Sequence, residues 1–288
     1  MSTTPSSDVI RYLIFDIESV ADPALVSLVR TGGEVPPNEA LRAYRDELME
    51  KRGSDFVPYV YHVPVSVVLA KVSEDFTLVD LTALKIDDGG PRKLCERFWE
   101  GWRYYDYPRF VTFNGRGFDL PLMELTAFRF GIPIPEWFME GAPSFKQPRN
   151  RYAAYHIDLY DALTNYGATQ FIGGLNLASK LLHKPGKFDA HGDMVQDLYD
   201  AGEFDAIHRY CRCDVIDTYF VFLRHKLLRG LITVDQEKEL VENARQFLKS
   251  RAQVETVYQE YLDAWDRYDA YLSSNDAFER FVKPGKSS

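Results

Sequence analysis

The chain has 288 residues, 45% of them hydrophobic, 14% aromatic and 27% charged, with a formal net charge of −9. This is ample apolar material for a large core at ordinary globular charge content, so extensive disorder is excluded; so is a membrane span, because no run approaches the ~18 consecutive apolar residues one requires. The acidic balance argues against a sequence-independent grip on long duplex DNA, which rests on a basic face releasing many counterions.

Residues 1–8 read as a polar, flexible leader with neither the basic nor the apolar stretch of a secretion signal. Residues 11–18, with Tyr12, Leu13, Ile14 and Phe15 in succession, read as a buried strand. Gly32, Gly33, Pro36 and Pro37 mark a connection, and a charged helix runs from Asn38 towards Arg52 before Gly53 stops it, so this part reads as an insertion between two strands. Residues 65–72 and 76–84, rich in valine, threonine and leucine, flank a short polar turn and suggest a hairpin. Residues 91–105 are helical in pattern, and 110–113 form a short strand that ends at Asn114-Gly115. The next helix begins near Asp119, tolerates Pro121 in its first turn and stops at Gly131. Residues 155–159 make a fifth strand, and the remainder reads as helical over 175–182, 193–200, 204–228 and a long section after Asp235. A hairpin followed by strands alternating with helices predicts an α/β domain with a mixed sheet. The three cysteines, Cys95, Cys211 and Cys213, suit neither a disulfide framework nor a zinc site, which fits a reducing cytoplasm.

Three patterns carry chemistry. Asp16 and Glu18 close the first strand, and the period of two turns both carboxylates to one face, where a hard divalent cation is their natural companion; a solvated strand end is the plainer alternative. In Asn114-Gly115-Arg116-Gly117-Phe118-Asp119 a strand gives way to a glycine-rich turn, and Asp119 falls at the start of a helix. An N-cap role would explain Asp119 but not why two glycines keep the turn open to close approach. In Tyr210-Cys211-Arg212-Cys213-Asp214, residues four apart on a helix share a face, so the Tyr210 hydroxyl and the Asp214 carboxylate point the same way. Asp217 lies near that face and competes with Asp214 for its role, and Tyr210 is otherwise a core aromatic.

Taken in order, Phe-Asp-Ile-Glu at 15–18, Asn-x-x-Gly-Phe-Asp at 114–119 and Tyr-x-x-x-Asp at 210–214 resemble the three motifs of the 3′-5′ exonucleases that use four acidic metal ligands and a tyrosine. The similarity is to stand-alone relatives of the proofreading domain of family B DNA polymerases, and it extends through 187–195. The sister group places a histidine five residues before the last aspartate, where this chain has Arg209, so the tyrosine subclass fits. The resemblance implies a ribonuclease H-like fold, a mixed five-stranded sheet flanked by helices, over residues 9–232, with a helical C-terminal extension over 233–288. It implies hydrolysis of phosphodiester bonds at 3′ ends of single-stranded nucleic acid by two divalent ions about 3.5–4 Å apart, Mg²⁺ with Mn²⁺ as a substitute. Asp16 would bridge both ions, Glu18 and Asp214 would hold the water-activating one, Asp119 would serve the second, and Tyr210 would orient the water. Asn114 and Phe118 would meet the terminal nucleotides, Phe118 as a stacking candidate, against readings as a turn residue and a packing residue.

DNA in replication or repair is the first substrate reading. RNA at the same site, or a catalytically silent binding or scaffold module, are the alternatives. Asp158 resembles a recurrent family residue, with capping or support preferred over direct metal ligation. Lys180, Lys184, Lys187, Lys146, Arg149 and Arg151 are candidates to track a single-stranded backbone, against a default of solvated surface charge. Past Asp235, Val254, Tyr258, Tyr261, Trp265, Tyr268 and Leu272 form a heptad stripe. Packing of this stripe on the catalytic domain is preferred, with a protein partner or homodimer through the C-terminal helix as the alternative.

Overall fold

The computed structural model describes residues 9–186 and 194–274. The leader and most of the 187–195 stretch of the family resemblance, Lys187 included, lie outside the described residues. Five strands form one sheet: β1 (Ile10–Ala21), β2 (His62–Ser73), β3 (Leu78–Lys85), β4 (Arg109–Thr112) and β5 (His156–Asp158), in the order β3-β2-β1-β4-β5. The β1–β2 and β2–β3 pairs are antiparallel, and β1–β4 and β4–β5 are parallel. This is the mixed, ribonuclease H-like sheet expected from the sequence.

Helices cover both faces because β1 alternates. Its odd residues Leu13, Phe15 and Ile17 enter a core with Phe98, Trp99 and Trp102 of α3 (Gly90–Tyr104) and with Leu122 and Met123 of α4 (Asp119–Phe130). Its even residues Tyr12 and Ile14 pack on the other side against Val215, Tyr219 and Phe222 of α9 (Phe204–Leu228). Two more helices, α10 (Val234–Ala252) and α11 (Thr256–Ser274), share that second core. Thr233 and Gln236 close a reciprocal capping box at the start of α10.

Local differences from the expected elements have identifiable causes. Residues 23–31, for which the sequence reading named no element, form a helix, α1 (Pro23–Thr31); Asp22 caps it by accepting from the amides of Ala24 and Leu25. Only Val26 and Ser27 of this helix are buried. The charged helix α2 (Pro37–Arg52) ends at Gly53 as expected. Strand β3 starts at Leu78 rather than at 76, because Asp75 accepts from the Ser73 hydroxyl and the Thr77 amide and Phe76 takes a positive φ of 70° within the turn.

The heptad stripe is covered by the chain itself. Tyr258, Tyr261 and Trp265 are buried against α9, and the ion pairs Arg209–Glu260 and Arg212–Glu255, at 2.8 and 2.7 Å, flank the seam. Among the described residues the middle of the stripe is thus turned inward, while Val254 points to solvent. Among the described residues no helix is long and apolar enough to cross a membrane.

Candidate active site

The parallel half of the sheet opens the site. Beyond Ile14, which is the last β1 residue paired with β4, β1 continues only along β2, through Asp16↔Val68 and Glu18↔Ser66 to Ala21↔His62. The strand therefore runs past Glu18, where the sequence suggested it would end, and leaves one edge free beside the two carboxylates. Asp16 and Glu18 continue the face of Tyr12 and Ile14, so they look towards α9. This is the carboxyl end of the parallel strands, where α/β sheets present ligand sites.

The turn after β4 is held by two side chains. Asp158, at the end of the neighbouring β5, accepts from the amides of Asn114 at 2.8 Å and Arg116 at 2.9 Å, and caps α6 (Leu159–Leu163) through the Tyr160 amide at 3.0 Å. Thr112 accepts from the Gly115 amide at 3.1 Å. A Cβ on Gly115 would lie 2.6 Å from the Thr112 side chain, so only glycine fits, and Asn114 takes the left-handed conformation at φ 68°. The clamped turn delivers Asp119 to the first position of α4, buried. Asn114 is exposed at the turn, and Phe118 is half-buried among aromatic rings, with centroids 6.0 Å from Phe56, 6.3 Å from Tyr59 and 6.1 Å from His62.

From the opposite face α9 contributes Tyr210, Cys211 and Asp214. The Cys211 thiol donates to the Asp16 carbonyl at 3.3 Å and approaches Asp16 Oδ2 at 3.7 Å. One ligand atom from each of Asp16, Glu18 and Cys211 lies within 4.8 Å of the others. Burial, then the charges of Asp214, Glu18 and Asp16, raise the Tyr210 hydroxyl far above its ordinary range, and its hydrogen bond to Asp214 acts in the same direction. The phenol is thus a neutral donor at any physiological pH. Burial, then the charge of Asp16, pushes the Asp119 carboxyl well above the usual carboxylate range. Asp217 is elsewhere: it accepts from the Tyr261 hydroxyl at 2.6 Å, in the seam with α11.

Asp16 and Glu18 are thus brought directly together, Asp214 and Tyr210 face them from α9, and Asp119 feels Asp16 from the third side. The donor chemistry fits a hard divalent cation. Burial and then the charges of Asp16 and Glu18 raise the Cys211 thiol well above its usual range, its hydrogen goes to the Asp16 carbonyl at 3.3 Å, and the other donors are carboxylate oxygens. Cys211 is the neighbour that sequence reasoning missed, although its position three residues before Asp214 puts it on the same helical face. The basic candidates divide. Lys184 is buried, with Nζ 4.0 Å over the Trp265 ring and its pKa lowered to about 8 by burial, and Lys180 lies over Tyr268 and donates to the Pro185 carbonyl. Both belong to the seam under α11, which corrects the expectation of a surface track or solvated charge for Lys184.

A family profile described as "Predicted 3'-5' exonuclease related to the exonuclease domain of PolB" matches residues 54–265, which include Asp119, Tyr210 and Asp214 and begin after Asp16 and Glu18. Among solved structures, the family B DNA polymerase from the hyperthermophilic archaeon Pyrobaculum calidifontis is similar at 17% identity and a TM-score of 0.49, over 76% of this chain. The similar region spans 24% of that polymerase. No curated protein sequence matches the chain. With the profile covering well over half its length, the chain belongs to the family of predicted 3′-5′ exonucleases related to the exonuclease domain of PolB.

Proposed function

We propose that the protein is a metal-dependent 3′-5′ exonuclease that removes nucleotides from the 3′ end of single-stranded nucleic acid, with DNA as the first substrate. Asp16 and Glu18 side by side on β1, with Asp119 and Asp214 within electrostatic reach of the same groups, carry this reading, because carboxylates gathered in this way, three of them buried, favour cations. Asp16 and Glu18 from β1, Asp214 from α9 and Asp119 from α4 would hold two Mg²⁺ ions, with Mn²⁺ as a substitute. Bound there, the ions would supply Lewis-acid stabilisation of the charge that develops on the scissile phosphate.

The remaining work falls to the chain. Tyr210 keeps its proton, so its role is to orient the attacking water by hydrogen bonding rather than to accept a proton from it. Asp158 and Thr112 fix the turn that sets Asp119, a positioning function. Asn114, exposed on that turn, would contact the terminal nucleotide, and Phe118, backed by three rings, would offer a rigid edge to its base. A reducing, cytoplasmic setting agrees with three buried free thiols.

Digestion of end-labelled single- and double-stranded DNA and RNA of matched sequence, with Mg²⁺ or Mn²⁺ titrated in, tests the proposal. Stepwise release of mononucleotides from the 3′ end of the single strands is expected, and loss of that release in Asp16→Ala. No release from any substrate at any metal concentration would overturn it, and comparison of the two sugars separates DNA from RNA.

A further inference from the structure

Residues 141–157 hold Lys146, Arg149 and Arg151 and no aspartate or glutamate, in a chain whose net charge is −9. This segment leads from α5 (Pro135–Phe138) into β5, and with α4 it encloses a pocket of about 520 Å³. Arg116, Arg149 and Arg151 line the pocket against one carboxylate, Glu124. Arg149 donates to Glu124 at 2.9 Å, Arg116 donates to Asp161 at 2.8 Å, and Arg151 stands 4.0 Å from Asp161. These pairs orient the guanidinium groups, and each guanidinium keeps further N–H donors for a second acceptor.

The walls are aromatic and open. Phe128 of α4 is 85% exposed and Phe138 is 43% exposed, and the Arg149 guanidinium lies 5.5 Å from the centroid of the Phe138 ring. A buried histidine also lines the pocket: His156 is engaged by Thr112 through Nε2 at 2.8 Å, while its Nδ1 has no partner among the described residues. Arg116, Leu120 and Pro121, which line the pocket, lie within three residues of Asp119, so the pocket borders the stretch of chain that carries this carboxylate.

We propose that this pocket binds the single strand inward of its 3′ end, with Arg116, Arg149 and Arg151 meeting phosphates and Phe128 and Phe138 stacking bases. The assignment rests on the nuclease reading for its direction along the strand. Stacking on exposed rings requires unpaired bases, which a duplex does not offer. The pocket thus reconciles a net negative protein with a polyanionic substrate: the strand is gripped locally, beside a carboxylate cluster that repels it until cations are present.

The test compares full-length wild type with Arg149→Ala/Arg151→Ala, with Phe128→Ala, and with Lys238→Ala as an exposed-charge control on α10. Two substrates are used, a fluorescein-labelled 12-nucleotide single-stranded DNA and the 4-nitrophenyl ester of thymidine 5′-phosphate, which is too small to reach the pocket. For the double variant, KM for the 12-mer is expected to rise about tenfold more than KM for the ester, and the salt dependence of 12-mer binding in EDTA, read by fluorescence anisotropy, to lose about 1.4 from its logarithmic slope. Phe128→Ala is expected to weaken 12-mer binding about tenfold. Thermal melting checks that each variant folds, and the exposed Phe128 provides the reading if the double variant does not. Unchanged 12-mer affinity in both variants, or an equal loss in Lys238→Ala, overturns the assignment. A wild type that hydrolyses neither substrate removes the nuclease reading instead; anisotropy then judges the pocket alone, with arginine-dependent binding supporting it and arginine-independent binding overturning it.

Discussion

Asp214 and Asp217 are three residues apart on α9 and both are buried, yet they occupy opposite environments. Asp214 faces β1 and shares its surroundings with Asp16, Glu18 and the Tyr210 hydroxyl. Asp217 faces α11 and α7 (Gly174–Leu181), where it accepts from the Tyr261 hydroxyl and is relieved by Ser179, Lys180 and Lys184. One carboxylate is surrounded by like charge, and the other by donors and cations. Burial beside like charge suits a place where a cation is held, whereas burial among donors and cations suits a place where the chain holds itself together.

Exchanging the effects of the two aspartates gives the largest test. Asp214→Ala should lower metal-dependent nucleotide release by at least about a thousandfold while leaving the melting temperature unchanged or raised. Asp217→Ala should leave release within a few-fold of wild type and cost about 2 kcal/mol of stability, because Tyr261 loses its acceptor. Steady-state assays and thermal melts on both variants decide it; equal activity losses would erase the distinction.

Asp119→Asn sharpens the same contrast at smaller amplitude. The Asp119 carboxyl is pushed up by burial and by Asp16, so its ionisation opposes folding of the metal-free protein above the usual carboxylate range. The variant should melt a few degrees higher than wild type in EDTA at pH 8, gaining on the order of 1 kcal/mol, and should lose about a hundredfold in activity. Tyr210→Phe comes next. It should slow turnover about tenfold without weakening metal binding measured by calorimetry, since only an orienting hydrogen bond is removed.

Much of this site is legible in the sequence because it sits at the ends of regular elements. A four-residue apolar run gives the strand, a period of two puts Asp16 and Glu18 on one face, and Gly115 marks a turn where Thr112 approaches too closely for any other residue. The four-residue spacing of Tyr210 and Asp214 fixes their common direction. Helix geometry alone does not choose between Asp214 and Asp217, which differ by only about 60°; the motif resemblance favours Asp214, and what separates their surroundings is where α7 and α11 lie. The same long-range packing buries Lys184 under Trp265 and spends the tyrosine stripe on α9. Asp158 lies between: capping or support was the expected role and it caps α6, but its partners on the 114–116 turn lie more than 40 residues away and no local pattern names them.

Tyr261→Phe is the smallest change and isolates the compensated side. The hydroxyl donates to Asp217 at 2.6 Å, and this bond is the first of the contacts that offset the burial raising Asp217 to about 7. A carboxyl raised from an unfolded value of about 3.9 favours the folded state at low pH. That contribution is lost as pH climbs from about 4 through about 7, because the unfolded chain releases the proton first. Removing the hydroxyl should raise Asp217 further, extend the declining part of the stability profile to higher pH, and cost about 1 kcal/mol at pH 8. Urea melts of wild type and variant between pH 4 and pH 9 read both effects. Turnover should not change, since the Tyr261 bond holds Asp217 in the seam with α11 rather than beside Asp16 and Glu18; a variant that loses activity in step with stability would tie the two aspartates into one network and dissolve the contrast between them.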